Sequence, residues 1–216
     1  AREVRDQMLA RVEQTGNPYG RAMALGFAGH FARECGDVGA TLDYSERAIA
    51  HINEQKVYGW LPQPTCLHGW ALAKQGRFDE GIAQIEQGLA LMEMIGFRQT
   101  QPYHIGMLAE AHLERGDADA ALAAADRGLE LCRTTLDRFY EPELLRMRGL
   151  SQVLLGQKGD AGESLRGAAN LAEKRGAPLF RIRTLRGLVD VRRSEGGAAL
   201  ELLDALRELE QIVESP

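Results

Sequence analysis

Four glycines stand forty residues apart without drift: Gly36, Gly76, Gly116 and Gly156. Each lies between two stretches whose apolar residues recur with the period of an amphipathic helix. Because glycine adopts a positive φ at little cost, it can end one helix and let the chain reverse into the next. The spacing therefore predicts a repeat made of a helix, a structural turn at the glycine and a second, antiparallel helix.

Other residue types recur with the same forty-residue period. Prolines stand fourteen residues before three of the glycines, where they can begin the first helix of a repeat. Small residues recur seven before, five after and twelve after each glycine, where they would let helices approach closely. The prolines are Pro62, Pro102 and Pro142, and the small residues are Gly29, Gly69, Ala109, Gly149, Thr41, Gly81, Ala121, Ala161, Ala48, Gly88, Gly128 and Ala168. Neighbouring repeats must stack to bury their apolar faces.

The period divides the whole chain of 216 residues. It predicts a half repeat over 1–16, four repeats over 17–56, 57–96, 97–136 and 137–176, and a degenerate capping repeat over 177–216 that turns at Gly196-Gly197. No strand-type alternation stands out. We expect one all-α domain, an α-solenoid of about 11 helices. Because the chain begins at Ala1 inside a helical pattern, we also expect it to be a fragment of a longer polypeptide.

The second repeat shows a family pattern most clearly, in the stretch GWALAKQGRFDEGI from Gly69 to Ile82. A small residue, a turn glycine seven later and a small residue five after that resemble the tetratricopeptide repeat (TPR). The resemblance implies a right-handed superhelix of antiparallel helix pairs. The usual TPR has about 34 residues, against forty here, so HEAT-like repeats are the structural alternative.

Five further runs are similar to the C-terminal TPR region of bacterial multidomain regulators. They cover residues 67–73, 81–84, 102–103, 107–111 and 138–144. Those regulators carry a class III adenylate/guanylate cyclase-type or DNA-binding domain, then a signalling ATPase, then the repeats. The resemblance implies a non-enzymatic interaction or sensor tail of a larger bacterial signalling protein. The alternative is a small-ligand-sensing domain that gates an attached ATPase or cyclase.

Charge, apolar runs and cysteine usage argue against several other classes of protein. A formal net charge of -5 argues against a dedicated nucleic-acid binder, which needs a basic surface. No run of about 18 apolar residues predicts a membrane span. Cys35, Cys66 and Cys132 are odd in number and scattered, which favours small buried fillers in a reducing cytoplasm. We therefore expect a cytoplasmic protein that binds neither nucleic acid nor membrane.

Catalytic and metal-binding patterns are missing from the sequence. There is no phosphate-binding loop, no His-Glu-x-x-His and no Gly-x-Ser-x-Gly. His104 and His112 lie eight residues apart, whereas helical metal ligands lie three or four apart. Glu110 and Glu114 share a helix face that is more often solvated than catalytic. We expect no enzyme activity, no cofactor and no metal.

The TPR resemblance implies that the first helices of the repeats line a concave groove. The residues of that face lie thirteen, ten, six, three and two positions before each glycine. They include aromatic, acidic and basic side chains, which predicts a protein or peptide partner of mixed charge. The predicted partner-binding residues are His30, Arg33, Trp70, Lys74, Tyr103, Glu110, Glu114, Glu143, Arg146, Arg183, Arg186 and Arg193. Trp70 and Tyr103 would serve as anchors. In the alternative interpretation Trp70 fills a gap between helices and the arginines are solvated. The terminal helices also predict a homodimer.

Overall fold

A computed structural model of the chain describes residues 2–194 together with 203, 206 and 207. Within 2–194 the chain is all-α, which confirms the predicted class. The helices are α1 (Arg2–Thr15), α2 (Pro18–Glu34), α3 (Val38–Gln55), α4 (Pro62–Lys74), α5 (Phe78–Met94), α6 (Gln101–Arg115), α7 (Ala118–Thr135), α8 (Glu141–Leu154), α9 (Lys158–Lys174) and α10 (Pro178–Ser194), with a 3₁₀ turn over Tyr58–Trp60. The predicted turn at 196–197 lies outside the described residues, as does most of the helix expected after it.

Proline or aspartate begins several of the helices. Pro62 and Pro178 are the first residues of α4 and α10, and Pro102 and Pro142 lie in the first turns of α6 and α8. These positions confirm the predicted role of proline, whose missing N–H is not needed in the first turn of a helix. Before α3 and α7, the side chains of Asp37 and Asp117 accept a hydrogen bond from the N–H of Ala40 and Ala120.

The forty-residue glycines end the first helices of the repeats, as predicted. At Gly76 φ is 82°, and its N–H donates to the Ala73 carbonyl at 2.9 Å. The N–H of Arg77 donates to the Leu72 carbonyl at 3.0 Å, which completes a Schellman motif. The same pair of bonds recurs at the turns of Gly36, Gly116 and Gly156.

A second left-handed series ends the other helices. Positive φ occurs at residues 16, 56, 96, 136 and 176, each twenty residues from one of the four turn glycines Gly36, Gly76, Gly116 and Gly156. The two series together place a left-handed residue at every twentieth position from 16 to 176. Three of the five are glycines, but Lys56 and Leu136 stand at the other two, with φ of 56° and 61°. Because glycine does not occupy the whole second series, the forty-residue pattern alone does not reveal it.

Small residues mark the closest helix contacts, which confirms that prediction for several pairs. A Cβ atom added to Gly69 on α4 would lie 2.5 Å from the carbonyl oxygen of Gly81 on α5. One added to Gly88 would collide with the Cys66 sulfur. In α8, a Cβ on Gly149 would lie 2.7 Å from Cγ of Leu165 on α9. Glycine at these positions is therefore a packing requirement.

The chain forms two compact units, Ala1–Ala111 and His112–Pro216, with the boundary inside α6. In the first unit, α2 packs on α3, α4 packs on α5, and α4 also contacts α2 and α3. In the second unit, α8 packs on α7 and α9, and α10 packs on α9 and α8. The division into one domain with these repeat boundaries stays a prediction.

The cysteines require one correction. Cys66 and Cys132 are buried, as expected of small fillers, but Cys35 is exposed. Cys35 follows the last turn of α2 at the C-cap, where the side chain leaves the packed face. Among the helices described, none combines the length and the apolarity that crossing a bilayer requires.

Candidate functional site

One carboxylate ties three first helices of the first unit together. Glu110 on α6 accepts a hydrogen bond at Oε2 from Arg33 Nη2 of α2, at 2.9 Å, and from Trp70 Nε1 of α4, at 2.8 Å. Its Oε1 lies 2.7 Å from Nζ of Lys74, one turn further along α4. We call Arg33, Trp70, Lys74, Tyr103 and Glu110 the Glu110 cluster.

The Arg33 guanidinium lies at the centre of the Glu110 cluster. Its side chain is 3% exposed, and it also pairs with Glu34 at 2.7 Å. Its Cζ atom lies 5.2 Å from the ring centroid of Trp70 and 4.8 Å from that of Tyr103. Two aromatic faces and two carboxylates thus replace the water that a buried cation loses.

The cluster keeps Glu110 ionised. Burial alone would raise the pKa of this carboxyl, but the charges of Arg33 and Lys74 and the hydrogen bonds from Lys74 and Trp70 outweigh it. Together they lower the pKa of Glu110 from 4.5 to about 2. At neutral pH the group is therefore a permanent acceptor for the three donors around it.

Two histidines adjoin the cluster. The His30 ring centroid lies 5.1 Å from that of Tyr103 and 5.4 Å from that of His104. Burial, together with repulsion from His104 and Arg33, holds the pKa of His30 well below its ordinary value. His30 is therefore neutral at neutral pH and contributes ring packing.

The second unit contains a buried carboxylate. Glu143 on α8 has a side chain that is 1% exposed, and it accepts a hydrogen bond from Arg146 Nη2 at 2.9 Å. From α10, Arg183 Nη1 lies 3.6 Å from the same Oε2 atom. We call Glu143, Arg146 and Arg183 the Glu143 cluster.

The structure therefore brings most of the predicted partner-binding residues into two internal clusters, with His30 beside the first. Trp70 and Tyr103, the predicted anchors, are buried. Glu114 and Arg186 are exposed on α6 and α10, and Arg193 belongs to α10 with a side chain outside the described part. The partner-binding role of these residues stays a prediction.

An exposed apolar stripe on α2 was missed by the sequence analysis. Tyr19, Met23 and Phe27 lie four residues apart on one helix face, and all three are exposed. The Phe27 ring centroid lies 6.5 Å from that of His30. We call these three residues the α2 stripe. Their four-residue spacing after Pro18 is a sequence signal for one helix face, but the stripe does not recur in the other repeats and so is not part of the forty-residue pattern.

A cleft of about 170 Å³ lies between α1, α2 and α3, lined by Val12, Glu13, Gly16, Asn17, Pro18, Arg21, His51 and Gln55. It is smaller than the roughly 300–1,000 Å³ of typical ligand pockets. Within the described part of the chain, no three His, Cys, Asp or Glu side chains converge to hold a metal ion.

The paired helices, glycine turns and small-residue contacts define a TPR-like helical-repeat fold. Two crystal structures of the nearly identical TPR-like repeats of a kinesin light chain-like protein from Podosopora anserina are similar to it. One of them, a point variant, has a TM-score of 0.63 over 90% of this chain and 96% of its own. The other has a TM-score of 0.62 over 93% and 100%. Each is 16% identical in sequence, so the similarity shows the fold.

Sequence comparison adds one bacterial relative. An uncharacterized protein of Rhizobium meliloti (strain 1021) is 23% identical over 172 residues, or 79% of this chain. The chain spans 17% of that protein's length. No model of a known protein family matches the chain.

Proposed function

We propose that the chain is a protein-binding scaffold that engages a partner through the α2 stripe and the adjoining first-helix face. The observation that carries the proposal is the stripe itself. Tyr19, Met23 and Phe27 are exposed in a row, where a helix facing only water would carry polar residues. Tyrosine, methionine and phenylalanine are the residue types that interfaces enrich.

The Glu110 cluster supports such a surface by fixing the helix that carries it. Arg33 is on α2, and its bond to Glu110 ties that helix to α6, while Trp70 and Lys74 tie α4 to the same carboxylate. A surface that is already held in its bound position loses less entropy when the partner arrives. In this proposal the buried charges organise the surface and the α2 stripe makes the contact.

We further propose that the scaffold is the interaction or sensor tail of a larger bacterial signalling protein. Two observations support this: the chain spans only 17% of its Rhizobium relative, and its repeats resemble those of multidomain regulators. The partner would be a protein or peptide, either another domain of the same polypeptide or a separate chain.

Affinity capture with cross-linking tests the proposal. The variant Tyr19→Ser/Met23→Ser/Phe27→Ser should lose the proteins that the wild-type chain enriches, with little change in its melting temperature, because the three side chains are exposed. Met94→Ser/Ile95→Ser is the matched control, since it removes exposed apolar residues at the end of α5 in the same compact unit.

Equal capture by the wild type and the α2-stripe variant would contradict the proposal. If the captured protein is a second copy of the chain, light scattering on the purified protein would identify the predicted homodimer. Loss of capture with the Met94/Ile95 control as well would show that exposed apolar area in general, and not the stripe, causes the binding.

A further inference from the structure

The turn after α7 contains a residue that the fold alone does not explain. Leu136 adopts a left-handed conformation, which costs free energy for any residue with a Cβ atom. Glycine fills three of the four equivalent positions in the second left-handed series. The leucine side chain gains no burial in return, because it is 76% exposed. A strained backbone that displays an apolar side chain suggests a role outside the fold.

A second exposed apolar side chain lies three residues further on. Phe139 is 64% exposed, yet its ring is held in place, with its centroid 5.6 Å from that of Phe180 on α10. Tyr140 packs edge-on against the same Phe180 ring at 5.7 Å. Leu179, next to Phe180, is also exposed. We call Leu136, Arg138, Phe139 and Leu179 the loop patch.

The loop patch contains one charged side chain, the Arg138 cation, and the two neighbouring acids have other partners. The side chain of Asp137 accepts a hydrogen bond from the Phe139 N–H, and Glu141 pairs with Arg175. Arg138 lies between them, is exposed, and forms no ion pair or side-chain hydrogen bond with any described residue. A bare guanidinium between two exposed apolar side chains complements a carboxylate flanked by apolar groups.

We propose that the loop patch docks an acidic peptide segment of a partner protein, with leucine or phenylalanine anchors beside its carboxylates. Leu136 and Phe139 contact the anchors, and Arg138 pairs with a carboxylate. The patch belongs to the second compact unit and shares no residue with the α2 stripe or with either cluster. It is therefore a separate surface, and its test is independent of the function proposed above.

The test uses the full chain and a fluorescein-labelled short peptide in which leucine and phenylalanine alternate with aspartate and glutamate. Fluorescence anisotropy should show binding that weakens as salt rises. Leu136→Gly and Arg138→Glu should each lower the affinity about tenfold. Leu136→Gly should also raise the melting temperature, because glycine relieves the left-handed strain, so weaker binding cannot come from misfolding.

Two controls make the test specific. Lys56→Gly makes the same change at an equivalent left-handed position in the first unit, and it should leave peptide affinity unchanged. The α2-stripe variant should also bind the peptide normally. A second peptide, with lysine in place of the acidic residues, should not bind.

Several results would overturn the proposal. These are no binding of the acidic peptide, equal binding of the basic peptide, or affinity that Leu136→Gly and Arg138→Glu both leave unchanged. Binding to phosphatidylserine vesicles without binding to the peptide would also overturn it, because the loop patch would then recognise a lipid surface.

Discussion

The Glu110 and Glu143 carboxylates show two ways of holding a charge inside a helical repeat. Glu110 collects donors from α2 and α4, which lie far from it in sequence. Glu143 takes its closest donor from Arg146, three residues further along its own helix, and Arg183 of α10 lies more distantly. The Glu110 cluster thus connects helices, whereas the Glu143 cluster is largely local. This difference in partners predicts unequal contributions to stability, although Glu143 is the more deeply buried, with 1% of its side chain exposed against 21% for Glu110.

Glu110→Ala should cause the largest loss. It leaves the Arg33 guanidinium buried without its partner on α6, which should lower the free energy of unfolding by about 3–5 kcal/mol. Urea unfolding followed by tryptophan fluorescence measures this in the first unit, since Trp60 and Trp70 are the chain's tryptophans and both lie there. The control Glu114→Ala is exposed on the same helix and should cost less than about 0.5 kcal/mol. Equal losses of stability in Glu110→Ala and Glu114→Ala would show that the Glu110 cluster does not stabilise the first unit more than an exposed carboxylate does.

Acid should weaken the Glu110 cluster in a defined window. The folded-state pKa of Glu110 is about 2, against an ordinary value of 4.5. Its contribution, about 3 kcal/mol, is therefore complete above pH 4.5 and disappears as the pH falls towards 2. The pKa of His30 is also lowered, so the unfolding curves of wild type and Glu110→Gln must be compared at each pH. Parallel curves between pH 4.5 and 2 would refute the stabilising role of the charge.

Glu143→Ala should cost less, about 1–2 kcal/mol. Arg146 and Arg183 are both partly exposed, so water can solvate them once the carboxylate is gone. Amide hydrogen exchange in α8 and α10 measures this effect in the second unit. Glu163→Ala, on the exposed face of α9, serves as the matched control. A loss as large as that of Glu110→Ala would show that the Glu143 cluster also has a structural role beyond its local pairing.

Lys74→Met should have the smallest effect, below about 1 kcal/mol. Its ammonium group pairs with Glu110 at the partly exposed edge of the Glu110 cluster, and Arg33 and Trp70 remain as donors. Tryptophan-detected urea unfolding again gives the value. A loss above about 2 kcal/mol would mean that the lysine, and not the buried arginine, is the main partner of Glu110.

The sequence period predicted the helix pairs, the glycine turns, the initiating prolines and the small contact residues. It also placed Arg33, Trp70 and Glu110 on the corresponding face of the first helices of successive repeats. It did not show that these side chains contact each other. Periodicity assigns a residue to a helix face, but it does not give the distance between the first helices of neighbouring repeats. The left-handed conformations of Lys56 and Leu136 were also out of reach, because residue type alone favours glycine there.

The twenty-residue spacing of left-handed residues has a consequence for how this chain can change in length. Removing residues 37–76 would join Gly36 directly to Arg77, which is the junction that already follows Gly76. Every later helix would still end at its own left-handed residue, because the forty deleted residues make up two complete steps of one helix and one turn. Loss of a single residue within a helix would instead rotate the rest of that helix by about 100°, since the helix has 3.6 residues per turn. Gain or loss of whole repeats is thus the length change that this architecture tolerates best.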